Sequence, residues 1–491
     1  MEQHISVTRA ARLAGVTRGE MQARIKRGEL ASFDGMVETG ELLRVYPHVR
    51  LDGEVDKALD RVNQIKAKAY AKRVVDRTLP DKEVLARRVT ALGRESALYR
   101  ARAEHYGTIL ADLQQRLRRL EAEHGEQVRE LLGSLKQWLQ SALEKGIDGE
   151  PDPLLVQNSL LRVLSPQVRL DPGGHEFFVE GADTVLQAAL RAGLSPAYGC
   201  SNGECGKCRS RLRSGEVRAV REHAFQLGDK ALADGEILLC SVTPVTDVEI
   251  ETRVARTPDD IPNQSIEAEV TAIERPARGV AVLHLKTPRT KRLRFLGGQN
   301  ARLTVADGSQ ACLPLASCPC DDRHLQFHLA RRADDPFSEA VFERLRVGDT
   351  VRVDGPEGDF VAEDSGRALV FVAVDTGYAP IKSLIEHAIA LDQTDALHLY
   401  WYASGGIGHY DGNLCRAWND ALDGFRFHAI TGETGGDAAA WAKRLERLGH
   451  DYPIPADRDF YLAGPAPMIE AARKLLLGLG LPEAQLHTEV V

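Results

Sequence analysis

Four cysteines carry the chemistry that is easiest to read. Cys200, Cys205 and Cys208 sit in one short loop, and Cys240 follows well downstream. A [2Fe–2S] cluster needs two thiolates on each iron, and a loop with three ligands plus one remote thiolate meets that need. The loop reads Tyr198-Gly199-Cys200-Ser201-Asn202-Gly203-Glu204-Cys205-Gly206-Lys207-Cys208. Glycines 199, 203 and 206 admit dihedrals closed to other residues, so backbone N–H groups turn toward the sulfurs. Zinc is the competing reading of four cysteines, but zinc sites favour paired short Cys-x2-Cys hooks.

The spacing and flanks resemble plant-type ferredoxins. Val168-Arg169-Leu170 and Glu176-Phe177-Phe178-Val179 predict a hairpin, and Thr184–Ala192 a helix. Ile237-Leu238-Leu239-Cys240 brings the fourth ligand on a strand, and Val248-Glu249-Ile250-Glu251 closes the domain.

Residues 165–491 resemble the ferredoxin–NADP reductase superfamily, and in layout the oxygenase reductases and sugar 3-dehydrase reductases with an N-terminal ferredoxin domain. The matching motifs are Phe295-Leu296-Gly297-Gly298-Gln299, Phe337-Ser338-Glu339, Val351–Phe360, Thr376-Gly377-Tyr378-Ala379-Pro380 and Gly464-Pro465-Ala466-Pro467-Met468. The resemblance implies electron flow from NAD(P)H through FAD to the cluster and on to a partner metalloenzyme. It assigns cofactor contacts to Ser338, Thr376, Gly377, Pro380, Gly464 and Pro465.

The cofactor motifs themselves depart from that pattern. The family's Arg-x-Tyr-Ser falls at Ala311-Cys312-Leu313-Pro314, and its glycine-rich phosphate loop at Asp334-Asp335-Pro336. Ala330 stands where another Arg is common, although Arg331 and Arg332 follow. Gly-Gly-Thr-Gly reads Val374-Asp375-Thr376-Gly377, Gly-Ala-Arg reads Tyr402-Ala403-Ser404, and the Cys beside the nicotinamide is Ala463. Carboxylates where diphosphates approach are electrostatically unfavourable. Residues that shape the fold are retained while those that bind two cofactors change together.

The chain has eight cysteines. Cys312, Cys318 and Cys320 fall beside the altered flavin motif and read as small buried residues, or alternatively as a metal or redox site. His324 and His328 read as barrel strand residues. Without a disulfide framework, the cysteine usage fits a reducing cytoplasm.

Two further elements precede the cluster. Residues 5–46 resemble the helix-turn-helix module of excisionases and MerR-type regulators, through Ser6–Ala11, Leu13–Arg18 and Arg24–Leu30. Arg18, Gln22, Arg24, Lys26 and Arg27 would give the second helix a basic face for DNA, or for a docking partner. Next, Leu85, Val89, Leu92, Ser96, Tyr99, Ala103, Tyr106, Leu110, Leu113, Leu117 and Leu120 follow a 3–4 spacing. That is a coiled-coil seam. It resumes out of phase at Val128, Leu131, Leu135 and Trp138. A homodimer is expected, with a helical hairpin on its own chain as the alternative.

The predicted architecture is multidomain. It comprises a helical module over 1–50, a coiled coil over 55–145, and an α+β β-grasp ferredoxin domain over 163–255. An antiparallel FAD-binding-like β-barrel over 262–365 and a parallel α/β NAD(P)-binding-like domain over 366–491 complete it. A formal net charge of -8 argues against nonspecific nucleic-acid binding by the whole chain. No apolar run is long enough to span a membrane, and Met1-Glu2-Gln3-His4 has no leader character. Three functions follow: a reductase feeding a metalloenzyme of oxygenase or hydroxylase type, a dimeric [2Fe–2S] redox sensor, or a flavin-free electron relay.

Overall fold

The computed structural model describes residues 82–123, 165–221, 224–391, 393–394 and 396–491, with part of the segment 4–46. In that first segment, β1 (His4–Ser6), β2 (Ser32–Phe33) and β3 (Met36–Glu38) form an antiparallel sheet in the order β1-β3-β2. A helix, Thr39–Val45, follows, and Ala10, Ala11, Met21, Leu30, Val37 and Leu42 make a common core. The module is therefore mixed, not helical throughout. Arg24 of the expected basic face lies over the Tyr46 ring, 5.1 Å from its centroid. Arg18, Gln22, Lys26 and Arg27 lie outside the described residues.

Lys82–Glu123 is one helix of 42 residues, about 63 Å long at the usual rise. Its first turns dock on the domain that follows. Val84 and Arg88 are buried there, and Arg88 donates to the Pro244 carbonyl from Nε at 3.2 Å and Nη2 at 3.0 Å. Beyond that contact the seam is bare. Val89, Tyr99, Tyr106 and Leu113 are exposed, as are Leu98 and Ile109. No described element of this chain covers them. The resumed seam at Val128, Leu131, Leu135 and Trp138 lies outside the described residues.

β4 (Gln167–Asp171), β5 (His175–Phe178), β6 (Arg209–Ser214), β7 (Val217–Ala219), β8 (Glu236–Leu238), β9 (Val242–Pro244) and β10 (Val248–Glu251) build the next unit. Its five-stranded sheet runs β5-β4-β10-β6-β8, with β4 and β10 parallel, and β7 pairs β9 separately. The helix Val185–Arg191 packs into its core through Val185, Leu186 and Ala189. Thr184 and Gln187 start that helix with reciprocal side-chain-to-backbone bonds of 3.3 and 3.0 Å.

Six antiparallel strands follow: β11 (Gln264–Ala277), β12 (Val280–Lys286), β13 (Asn300–Thr304), β14 (Gln310–Pro314), β15 (His324–Ala330) and β16 (Thr350–Glu357). Their order is β14-β13-β16-β11-β12-β15. The bridge Leu315–Phe327 and a 2.7 Å bond from the Ala316 amide to the Gln326 carbonyl bring the two edges together, so the sheet nearly closes. Along β11, Ile266, Ala268 and Val270 point inward while Glu267 and Glu269 stay in water, the period-2 pattern of a half-buried strand.

β17 (Ala368–Val374), β18 (Leu397–Ala403), β19 (Phe425–Thr431), β20 (Arg458–Gly464) and β21 (Leu486–Val490) form a parallel sheet ordered β19-β18-β17-β20-β21. Buried apolar clusters cover both faces, as crossover helices require. Strand order reverses between β17 and β20. In such sheets the ligand crevice opens at the carboxyl ends of the strands beside that reversal.

Candidate iron–sulfur centre and cofactor cleft

Cys200, Cys208 and Cys240 are buried, and Cys205 is half-exposed. The thiols pair two and two. The Cys205 amide donates to the Cys200 sulfur at 3.4 Å, and the Cys208 thiol lies 3.3 Å from the Cys240 sulfur. Burial works to raise the Cys200 pKa, but the amides of Cys205, Asn202 and Glu204 donate to its sulfur and leave it below the ordinary thiol range. The bond from Cys208, aided by the Ser241 hydroxyl and the Arg221 charge, brings Cys240 down to about 6 despite its burial. The same bond raises Cys208.

Among the described residues, no three His, Cys, Asp or Glu side chains converge to hold a single ion. Two spaced thiol pairs with inward-turned amides fit a binuclear cluster better than a lone tetrahedral zinc. Gly203 and Gly206 have φ of 83° and 68°. A Cβ on Gly206 would meet the Phe225 ring at 2.3 Å, so this position needs glycine for space as well as conformation.

Two arginines that the sequence reading overlooked lock this loop to the barrel. Arg292 donates to the Ser201 hydroxyl from Nε at 3.2 Å and Nη2 at 3.1 Å, and its Nη1 holds the Thr287 hydroxyl at 2.6 Å. Its backbone N–H bonds the Gly199 carbonyl, and the Ser201 N–H bonds the Arg289 carbonyl, both at 3.0 Å. Arg294 grips Ser195 through its hydroxyl at 3.1 Å and its carbonyl at 2.7 Å. Both arginines are buried. The available signal was Arg292-Leu293-Arg294-Phe295, two charges alternating with apolar residues just before the Gly297-Gly298 turn.

The cleft between barrel and parallel sheet is the place for flavin and nicotinamide, and its residues do not fit them. Two amides of the segment where the pyrophosphate loop is expected already have side-chain acceptors. Asp335 caps Phe337 with a 3.0 Å bond, and the Ser338 hydroxyl is buried, accepting from the Arg332 amide at 3.0 Å. Arg331 is tied to Glu343 and lies over Phe342, 5.3 Å from the ring centroid. Arg302, beside Cys312, is paired with Glu357 at 3.2 Å.

At the strand reversal, Asp375 adopts φ 48° and accepts from the Ser404 amide at 2.8 Å. Its carbonyl accepts from Trp401 Nε1 at 3.1 Å. Thr376 is half-buried, and a Cβ on Gly377 would meet the Ala463 carbonyl oxygen at 2.3 Å. Gly464 is equally crowded, by Val374 and Met468. Pro380 sits buried in the first turn of Tyr378–Leu391, and Pro465 caps Ala466–Gly478. Gly377 and Gly464 thus come together, but as close packing between strands.

An aromatic cluster in the core of the parallel-sheet unit reaches toward β15. Tyr378 stacks on Trp401 at 4.0 Å between centroids and 10° between planes. Tyr410 stands edge-on to Trp401 at 5.2 Å, and its hydroxyl bonds His328 Nδ1 of β15 at 2.9 Å. Burial, with Lys382 and His284 nearby, holds His328 well below the usual imidazole range, so it is neutral. Lys382 is also buried, its charge met by Glu386 at 2.8 Å and the Ala316 carbonyl at 3.3 Å. Tyr378 inside Thr-Gly-Tyr-Ala-Pro and the run Tyr400-Trp401-Tyr402 were the signals for this cluster.

The extra cysteines divide. Cys318 and Cys320 form a disulfide with Cα atoms 5.2 Å apart, which corrects the expectation that they are unpaired. Two residues flanking Pro319 fall within disulfide reach when the chain turns there. Cys312 remains free and exposed, its thiol 3.7 Å from Glu357. His324 and His328 lie on β15 as expected.

Residues 168–245 match the family described as a 2Fe-2S iron-sulfur cluster binding domain. That stretch holds all four cysteines described above, so the match defines an iron–sulfur cluster binding domain within this chain. More particularly, the chain is 28% identical over 330 residues to CDP-6-deoxy-L-threo-D-glycero-4-hexulose-3-dehydrase reductase of Yersinia pseudotuberculosis, covering 66% of this chain and 98% of the relative. It is 27% identical to terephthalate 1,2-dioxygenase reductase component 2 of Comamonas, covering 67% and 97%. Among solved structures, an Amycolatopsis cytochrome P450 reductase is 26% identical, with a TM-score of 0.40 over 66% of this chain and 98% of that one.

Proposed function

We propose that this chain moves single electrons through a [2Fe–2S] cluster held by Cys200, Cys205, Cys208 and Cys240, and delivers them to a partner metalloenzyme of oxygenase or hydroxylase type. The observation that carries this reading is the pair of thiol pairs, with backbone amides aimed at sulfur. When bound, the cluster supplies a one-electron couple. The protein's part is to exclude water on the Cys200, Cys208 and Cys240 side and to leave the Cys205 edge open, flanked by exposed Glu204 and Lys207. That edge is where an acceptor approaches. The names of the relatives, reductase components of a dehydrase and a dioxygenase, support an acceptor of this kind.

The test is discharge of dithionite-reduced protein into cytochrome c. One electron per chain is expected, and none from Cys208→Ser. Full activity in the serine variant would overturn the assignment.

A second reading, a dimeric redox sensor, is favoured by the long helix with its bare seam. On this reading Val89, Tyr99, Tyr106 and Leu113 pair with a second copy, and residues 5–46 present a DNA-binding or docking surface. A gel shift that changes with cluster oxidation state supports it, and binding indifferent to that state counts against it.

A further inference from the structure

We propose that the cleft between the barrel and the parallel sheet is closed to flavin and nicotinamide by this chain's own side chains. Electrons then enter, as well as leave, one at a time through the cluster. The inference rests on the iron–sulfur reading above and names the class of donor, a low-potential one-electron carrier protein.

Three independent sets of contacts converge on it. The first is electrostatic. Both places where a diphosphate would lie hold a carboxylate already bonded to the amides the phosphate would need: Asp335 on Phe337 and Asp375 on Ser404. An anion arriving there would displace a carboxylate and meet its charge at close range. Three of the cations nearby are paired, Arg302 with Glu357, Arg331 with Glu343 and Lys382 with Glu386, while the Arg332 side chain is exposed.

The second is steric. A planar ring binds between the carboxyl ends of the central strands only if that space is open. Here Tyr378 and Trp401 stack upon each other, wholly buried, and Tyr410 and His328 close the gap to β15. Stacking at 4.0 Å leaves no room for a third ring between them.

The third is mechanical. His328 belongs to the barrel, and Tyr378, Trp401 and Tyr410 to the parallel-sheet unit, so their contacts hold the two together. Ser383 adds a bond from its hydroxyl to the Ser317 carbonyl at 2.7 Å. These contacts tie the barrel to the parallel-sheet unit at His328 and Ser317.

The electron balance follows. A hydride carries two electrons, and the cluster accepts one. Without a flavin to hold the pair, hydride donors cannot feed the cluster. A one-electron carrier is oxidised by one, the cluster is reduced by one, and no proton or hydride moves.

The experiment uses the full-length holoprotein. It is titrated with FAD by fluorescence, then mixed anaerobically with NADH or NADPH, and finally with dithionite, while cluster bleaching is followed. The expected result is no flavin bound in excess FAD, no bleaching by either nucleotide, and full bleaching by dithionite. Stoichiometric FAD binding, or bleaching by nucleotide, would overturn the closed cleft while leaving the iron–sulfur reading intact. Failure of dithionite to reduce any cluster would overturn the iron–sulfur reading, and with it one-electron entry through the cluster. As a companion, the Tyr410→Ala variant is expected to retain the cluster spectrum and still exclude FAD, because the two carboxylates remain.

Discussion

At the level of single residues, the cluster loop leaves little freedom. Gly206→Ala places a Cβ against Phe225 in a left-handed conformation. The expected cost is about 1–3 kcal/mol, seen as a lower denaturation midpoint together with iron content below that of the parent. Unchanged iron and midpoint would show that the loop tolerates a side chain. The cluster-binding domain was legible in the sequence because its chemistry is local: three thiols and three glycines within one loop. Arg292, Arg294 and the Tyr378–Trp401 stack were not. Their partners, such as Ser201, Ser195 and Tyr410, lie tens of residues away, and an arginine or tyrosine alone does not announce whether it is buried. The Cys318–Cys320 bond entered only as the less favoured redox alternative, because a spacing of two residues reads equally well as two small core residues.

At the level of elements, the joint between cluster loop and barrel is the critical contact. Arg294 makes two bonds to Ser195 from a buried guanidinium. Its replacement by Ala removes two bonds, leaving the Ser195 hydroxyl without the guanidinium while the carbonyl keeps the Ala255 amide, at a cost of roughly 1–3 kcal/mol. Hydrogen exchange at residues 195–201 is expected to rise in Arg294→Ala, and lysine is not expected to restore it, because its single ammonium lacks the guanidinium fork. Equal exchange in parent and variant would remove the clamp from the account. The long helix makes a separate prediction. If its seam pairs with a second copy, Tyr99→Glu with Leu113→Glu yields a monomer in sedimentation while the cluster spectrum persists. A dimer that survives both charges would place the interface elsewhere. Heptad spacing revealed this helix from sequence, whereas the N-terminal sheet escaped because its strands have only two or three residues.

At the level of the molecule, the parallel-sheet unit buries several histidines. Burial brings His387 and His398 down to about 4, with His428 among the charges that add to the effect at His398. Both are neutral when folded, while an unfolded chain protonates them near the ordinary 6.5. Stability from this source is complete above about pH 6.5 and is lost as pH falls toward 4. The denaturant midpoint is therefore expected to drop between pH 6.5 and 4.5, and to drop less in His387→Gln. Identical pH profiles for the two proteins would contradict this.

The account as a whole stands on the cluster and its one-electron couple. The most direct measurement is electron paramagnetic resonance of the protein after anaerobic dithionite reduction, with spins counted against chains. The account predicts a rhombic or axial S = 1/2 signal near one spin per chain, silent in the oxidised protein and abolished in Cys240→Ser. A protein that binds zinc, or gives no spin in either state, would contradict it.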